Sequence, residues 1–339
     1  MKKPTIAFFG LESWEKAYLT KKLPLYKLVF VDKNLDENTL QNARNAEAIG
    51  IFIYSHITPS IIKKLPTLKY IITLSTGFDH VDLDATEHHN IVVSNVPAYG
   101  DNTVAEHTFA LLLALTRNII PSIERTRRGN FDLTELRGID LKGKTIGIVG
   151  MGRIGSCTAR IAKGFQMNIL AFDPFPNQQF ARELGFTYAK TLDELLKKSD
   201  ILSLHAPYTK QTHHLINTKN VLTIKKGGIL INTARGGLIQ TEALLLGLQK
   251  NIFKGIGLDV LEEECFVKEE KQLLTKNFQK TCDYKTILQE HMLIEYNNVL
   301  ITPHNAFNSE ESVQRILDTT VENINAFFKG KPVNVVGKK

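Results

Sequence analysis

Short apolar runs alternate with amphipathic stretches along the whole chain. In the first hundred residues, β-rich runs at 5–9, 27–31, 49–54, 70–74 and 91–94 are separated by helix-like segments such as 13–22 and 59–65. This βαβα pattern predicts a parallel sheet covered on both faces. A second alternation opens at Lys144, with apolar runs at 145–149, 168–172, 201–204, 228–232, 255–258 and 299–302. Six buried-type strands separated by helices predict a larger doubly wound sheet. Thr191 followed by Glu194 reads as a capping box on one of the intervening helices.

Three segments fall outside the simple alternation. Residues 103–116 are apolar around most of a helical circumference and lack Gly and Pro, which predicts a helix buried on several sides, as a spine between domains or an oligomer contact. Residues 309–329 carry Val313, Ile316, Leu317, Val321, Ile324 and Phe328 at helical spacing before Pro332, and are expected to pack back on the first unit. Residues 266–298 make a long mixed-charge connection, read as an inserted helix or helical hairpin.

The 339 residues are enough for about two domains, and 43% apolar with 23% charged residues supports ordinary cores. The longest apolar stretch, 109–115, is far short of the roughly 18 residues of a membrane span. Residues 6–11 are too short for a secretory core, so a cytoplasmic protein is expected. Cys157, Cys265 and Cys282 show neither CxxC spacing nor a complete pairing and read as reduced thiols. Lysine and arginine exceed aspartate and glutamate by 42 to 35, with no run of five or six like charges. That predicts a solvated basic surface rather than nucleic-acid binding. No histidine pair has metal-ligand spacing, so no metal is expected.

Chemistry concentrates in the second alternation. Gly150, Gly152 and Gly155 form GMGRIG between a strand and a helix, a turn that brings backbone N–H groups and a helix N-terminus to a pyrophosphate. Asp173 ends the next strand, about 20 residues on, where a carboxylate accepts hydrogen bonds from an adenosine ribose and repels a 2′-phosphate. NAD is therefore expected over NADP. Arg235 follows the strand ILINTA, Glu264 follows the strand ending near Asp259, and His304 follows VLITP. In open α/β sheets, ligands bind at such strand ends.

With LSTGFDHVD, VPAYGDNTVAEH, SLHAPYTKQTHHLIN, INTARGGLI, GLDVLEEE and ITPHNAF in this order, the chain resembles the D-isomer-specific 2-hydroxyacid dehydrogenase family. The resemblance implies an α/β protein of two Rossmann-like doubly wound domains. The catalytic domain would be discontinuous, over 1–100 and 305–339, and the NAD-binding domain would span 101–304. It implies hydride transfer between NADH and a small 2-keto acid such as pyruvate, most like the D-lactate dehydrogenases of the family, in a homodimer formed through the 103–116 region. Glyoxylate or hydroxypyruvate reduction is the alternative chemistry. An NAD-sensing corepressor-like binding protein is the alternative of another class.

Carried over residue by residue, the resemblance makes Arg235 the grip on the substrate carboxylate, His304 the proton donor and Glu264 its acid partner. Glu262 and Glu263 complete an acidic run beside Glu264, and Cys265 stands where many members have proline. The cofactor set comprises Thr103, Gly150, Gly152, Arg153, Ile154, Gly155, Asp173, Ala206, Pro207, Thr212, Thr233, Ala234, Arg235 and Asp259. Substrate contacts are expected from N–H groups around Thr76, Gly77 and Phe78, from Arg235, and from an aromatic wall of Tyr99 and Phe307. His107 is expected to be structural.

Overall fold

A computed structural model describes residues 3–262 and 283–337. They divide into two compact units, Met1–Tyr99 with Ser309–Lys339, and Gly100–Asn308. In the first unit, β1 (Thr5–Phe9), β2 (Lys27–Val31), β3 (Ala48–Ile51), β4 (Tyr70–Thr73) and β5 (Val92–Ser94) pair in parallel. In the second, β6 (Thr145–Val149), β7 (Asn168–Phe172), β8 (Thr187–Tyr188), β9 (Ile201–Leu204), β10 (Gly228–Asn232), β11 (Phe253–Leu258) and β12 (Val299–Ile301) form a parallel sheet in the order β12-β11-β10-β9-β6-β7-β8. The chain then returns to the first unit through the Glu310–Phe328 helix. Its last strand, β13 (Val335–Val336), adds antiparallel to β5, completing the order β13-β5-β4-β3-β1-β2.

Strand alternation builds two cores on opposite faces of the second sheet. Leu202, Leu204, Leu230, Ile256 and Leu258 join one cluster with the leucines of the Thr241–Gln249 helix. Ile201, Ile229, Ile231, Ile146 and Ile148 face the other way, against Phe109, Leu111 and Leu112. Period-two reversal of side chains makes this division, and apolar residues at both parities demand cover on both sides.

The predicted spine is the Asp101–Thr116 helix, which buries Val104, Ala105, Phe109, Leu111 and Leu112 and leaves Leu113 and Leu115 half-buried. It lies on β11 because that strand carries Gly255 and Gly257, where an added Cβ would stand 3.2 Å from Leu115 and Leu111 respectively. Several apolar residues left in solvent sit just beyond it. Ile119, Ile120 and Ile123 are about two-fifths exposed on the Ile119–Arg127 helix, and Phe131 and Leu133 are 77% and 79% exposed.

Within 266–298, the Tyr284–Ile294 helix is as expected, while residues 266–282 lie outside the described residues. The third strand ends at Ile51 rather than Tyr54, because the chain turns at residues 53 and 54. Thr191 caps its helix as predicted, accepting from Glu194 N at 3.1 Å, but the Glu194 carboxylate answers to Lys190 N instead of to the cap residue's own N–H. Among the described residues, no helix is long and apolar enough to cross a membrane.

Candidate active site

The three glycines after β6 perform three different tasks. Gly150 adopts φ +89°, and a Cβ there would stand 2.8 Å from the His205–Ala206 backbone, so the turn after β6 can abut the turn after β9. A Cβ at Gly155 would collide with the Gly150 carbonyl, so this residue lets the Arg153–Gly164 helix close on the turn. At Gly152 an added Cβ would meet nothing within 4 Å. Gly152 is the N-cap of that helix and has no side chain to occupy its N-terminus. An open backbone at a twelve-residue helix start fits a pyrophosphate, with Arg153 and Ile154 opening the helix.

Asp173 follows β7 and faces this turn. Its Oδ2 accepts from Met151 N at 2.7 Å and its Oδ1 from Phe175 N at 2.8 Å. The carboxylate is thus oriented by backbone donors on both sides and retains lone pairs for ribose hydroxyls. The loop after β9 carries Ala206 and Pro207, and Thr212 closes it by donating to Pro207 O at 2.6 Å. Beneath it lies His205, which sequence reasoning passed over although it stands in SLHAP. Burial pushes its pKa down to about 3, so the ring is neutral and ties Ser203 (2.8 Å) to Thr158 (3.1 Å) behind the glycine turn.

After β10, the wholly buried Asn232 shapes the next turn: its Oδ1 accepts from Ala234 N and its Nδ2 donates to Arg235 O at 2.9 Å. Thr233 is held to the Asp101–Thr116 helix through Thr108 Oγ1 at 2.9 Å. Thr103 lies in the first turn of the same helix. Gly236 is obligatory here, since a Cβ would collide with the Leu261 carbonyl. Arg235, Asp259 and His304 therefore stand just beyond the C-terminal ends of three adjacent strands, β10, β11 and β12.

Asp259 is 1% exposed and organises the last of these loops. Oδ1 accepts from Thr302 Oγ1 (2.5 Å) and Asn305 N (2.9 Å), and Oδ2 accepts from Ala306 N (2.9 Å). His107 Nε2 lies 3.4 Å from Oδ1, which gives that histidine the structural place expected of it. Burial alone would raise the Asp259 pKa, but hydrogen bonds from His107, Thr302, Ala306 and Asn305 hold it below the usual carboxylate range. The Asp259 carbonyl accepts from His304 N at 2.9 Å, and His304 adopts φ +49°, a left-handed conformation rare outside glycine. Such local strain persists only where its surroundings dictate it.

Glu264 and its neighbours Glu263 and Cys265 lie outside the described residues, as does Cys282. Glu262 is described and fully engaged: it pairs with His214 Nε2 and accepts from Thr241 N (2.8 Å) and Thr241 Oγ1 (2.7 Å) at the start of the Thr241–Gln249 helix. No group of three or more potential metal ligands occurs among the described residues.

In the first unit, Thr76, Gly77 and Phe78 form the turn after β4. Among the described residues none accepts a hydrogen bond from their three N–H groups. Tyr99 closes this unit's first segment, its carbonyl accepting from Arg315 Nε at 2.7 Å. Phe307 is half-buried three residues after His304, in the second unit.

Residues 109–306 match the family described as D-isomer specific 2-hydroxyacid dehydrogenase, NAD binding domain. The D-lactate dehydrogenase of Escherichia coli is 34% identical over 330 residues, covering 96% of this chain and 97% of its own. A glyoxylate reductase of Thermofilum pendens is 35% identical over 317 residues, covering 89% and 85%. The crystal structure of D-lactate dehydrogenase from Aquifex aeolicus, complexed with NAD and lactic acid, superposes with a TM-score of 0.85 at 37% identity, over 96% of each chain.

The open space at Gly152 sets a test. Gly152→Val should weaken NADH binding by about tenfold or more, or roughly 1.4 kcal/mol, while lowering the thermal unfolding midpoint by no more than the few degrees that loss of a favoured N-cap residue costs. Unaltered NADH affinity by fluorescence titration would place the pyrophosphate elsewhere.

Proposed function

The chain belongs to the D-isomer-specific 2-hydroxyacid dehydrogenases, and from that premise we propose that it reduces pyruvate, or a somewhat bulkier 2-keto acid, to the D-2-hydroxy acid. The observation that carries the reading is the row of Arg235, Asp259 and His304 beyond three adjacent strands, with the buried Asp259 holding the His304 loop. The lactate-bound relative and the Escherichia coli enzyme favour D-lactate chemistry. The Thermofilum pendens relative keeps glyoxylate reduction as a second reading.

In this proposal Arg235 pairs with the substrate carboxylate through its planar guanidinium and polarises the ketone. N–H groups of Thr76, Gly77 and Phe78 serve the same carboxylate. Bound NADH supplies the hydride for C2. Protonated His304 gives its proton to the ketone oxygen, and Glu264 favours the protonated ring. Oxidation runs the same proton transfer backwards, with neutral His304 as base. Asp173 selects NAD, Thr103, Thr212, Thr233, Ala234 and Asp259 complete the cofactor contacts, and Tyr99 with Phe307 sets side-chain size. The protein works in the cytoplasm as a homodimer formed through the 103–116 region, with the exposed Ile119, Ile120, Ile123, Phe131 and Leu133 just beyond it.

A panel of 2-keto acids with NADH tests the assignment: pyruvate should turn over at about 1–10³ per second and ahead of glyoxylate. A reversed ranking makes the protein a glyoxylate reductase, and no turnover with any acid makes it a binding protein. Glu264→Gln should move the alkaline fall-off of ketone reduction to lower pH, and shift the acid limb of oxidation the same way, with NADH affinity intact. Superimposable profiles would assign the role to another acid. Light scattering at micromolar concentration should give twice the 38.2 kDa chain mass. A monomer would overturn the dimer.

A further inference from the structure

The turn after β4 is held by its carbonyls. Ser75 O accepts from Val96 N (3.1 Å) and Thr73 Oγ1 (3.2 Å). Thr76 O accepts from Asn95 Nδ2 (2.7 Å), Gly77 O from Ser75 Oγ (2.7 Å), and Phe78 O from Val81 N (3.0 Å). All four successive carbonyls are thus bonded within the first unit. No cis peptide bond occurs among the described residues, and in a planar trans peptide the C=O of one residue and the N–H of the next point in opposite directions. Pinning Ser75 O therefore aims Thr76 N–H, pinning Thr76 O aims Gly77 N–H, and pinning Gly77 O aims Phe78 N–H.

The donor that pins Thr76 O is itself locked. Asn95 is buried, its carbonyl accepts from Asn323 Nδ2 at 2.9 Å, and its N–H donates to Asn334 O at 3.1 Å. Asn323, wholly buried in the Glu310–Phe328 helix, accepts in turn from Asn334 Nδ2 at 2.8 Å. A relay of three asparagines thus runs from the C-terminal segment to the turn. Burying an amide is costly unless it is hydrogen-bonded, and Asn323 is bonded at both ends of its amide.

We propose that Asn95 and Ser75 are positioning residues for the substrate carboxylate: by holding the carbonyls of Thr76 and Gly77, they aim the N–H groups of Gly77 and Phe78 at it, with Asn323 and Asn334 fixing Asn95. The inference rests on the reading that this turn binds the carboxylate. Neither side chain touches the substrate. Each acts by forbidding rotation of a peptide plane.

The test compares wild type, Asn95→Ala and Ser75→Ala as full-length enzymes, with pyruvate and its uncharged methyl ester as substrates. Each variant should raise the KM for pyruvate by about tenfold and lower the preference for pyruvate over the ester by a similar factor, while the NADH dissociation constant stays within about twofold. An unchanged KM and unchanged preference in either folded variant overturns that residue's role. A fall in thermal stability or NADH affinity with the preference intact also overturns it, since it would mark a residue that serves the fold alone. If wild type itself fails to distinguish pyruvate from the ester, then carboxylate recognition, and not only the positioning, is wrong.

Discussion

A carboxylate with almost no exposure to water, Asp259, is the constraint on which the second unit's site depends. Burial of an ionised acid is strongly unfavourable unless its lone pairs are met, and here Thr302, Asn305, Ala306 and His107 all lie within donating reach. These partners come from β12's loop and from the Asp101–Thr116 helix. One side chain thereby ties three elements together at the edge of the sheet. The left-handed backbone of His304 is the local cost of that arrangement, because the chain must turn sharply for Asn305 and Ala306 to present their N–H groups to the same acid. The helix that supplies His107 can come so close only because β11 carries glycine at 255 and 257.

The same economy recurs at every turn of the site. Asn232 bonds both Ala234 N and Arg235 O, so the backbone of Arg235 is set by a buried amide before its side chain is considered. Asp173 holds Met151 N, which orients the glycine turn from outside, while neutral His205 braces it from beneath. In each case a buried or half-buried polar side chain spends its hydrogen bonds on backbone geometry, and the backbone geometry then presents N–H groups or a functional side chain. Rigid presentation matters because misplacement of a reacting group by about 1 Å can cost about a hundredfold in rate.

Legibility in the sequence follows from this division of labour. Strands β6, β7, β9 and β10 were readable to the residue because a doubly buried parallel strand is a continuous apolar run. Two-residue strands β8 and β13 carry no such pattern: they exist through pairing with β7 and β5. The Ile119–Arg127 helix was hidden by Pro121, which discourages a helical reading yet sits harmlessly in the first turn. Motif residues such as Gly152, Asp173, Arg235 and His304 announce themselves by type and spacing. Asn95, Asn232 and Asn323 do not, since an asparagine near a strand end is ordinarily a turn residue and one within a helix is ordinarily on its solvated face. Only the hydrogen-bond geometry distinguishes them from their neighbours.

Each unit carries its own kind of positive charge beyond a strand end. In the first, three partial charges on backbone N–H groups are available at the turn after β4, and no substitution of the residues bearing them, short of proline, can delete them. In the second, Arg235 carries a full charge on a long side chain, its carbonyl accepting from Asn232 Nδ2 and its guanidinium donating to Ala234 O at 2.8 Å. Backbone donors are directional and cannot follow a ligand, so their aim depends on the carbonyls behind them. A guanidinium adapts in position but pays conformational entropy when it is held.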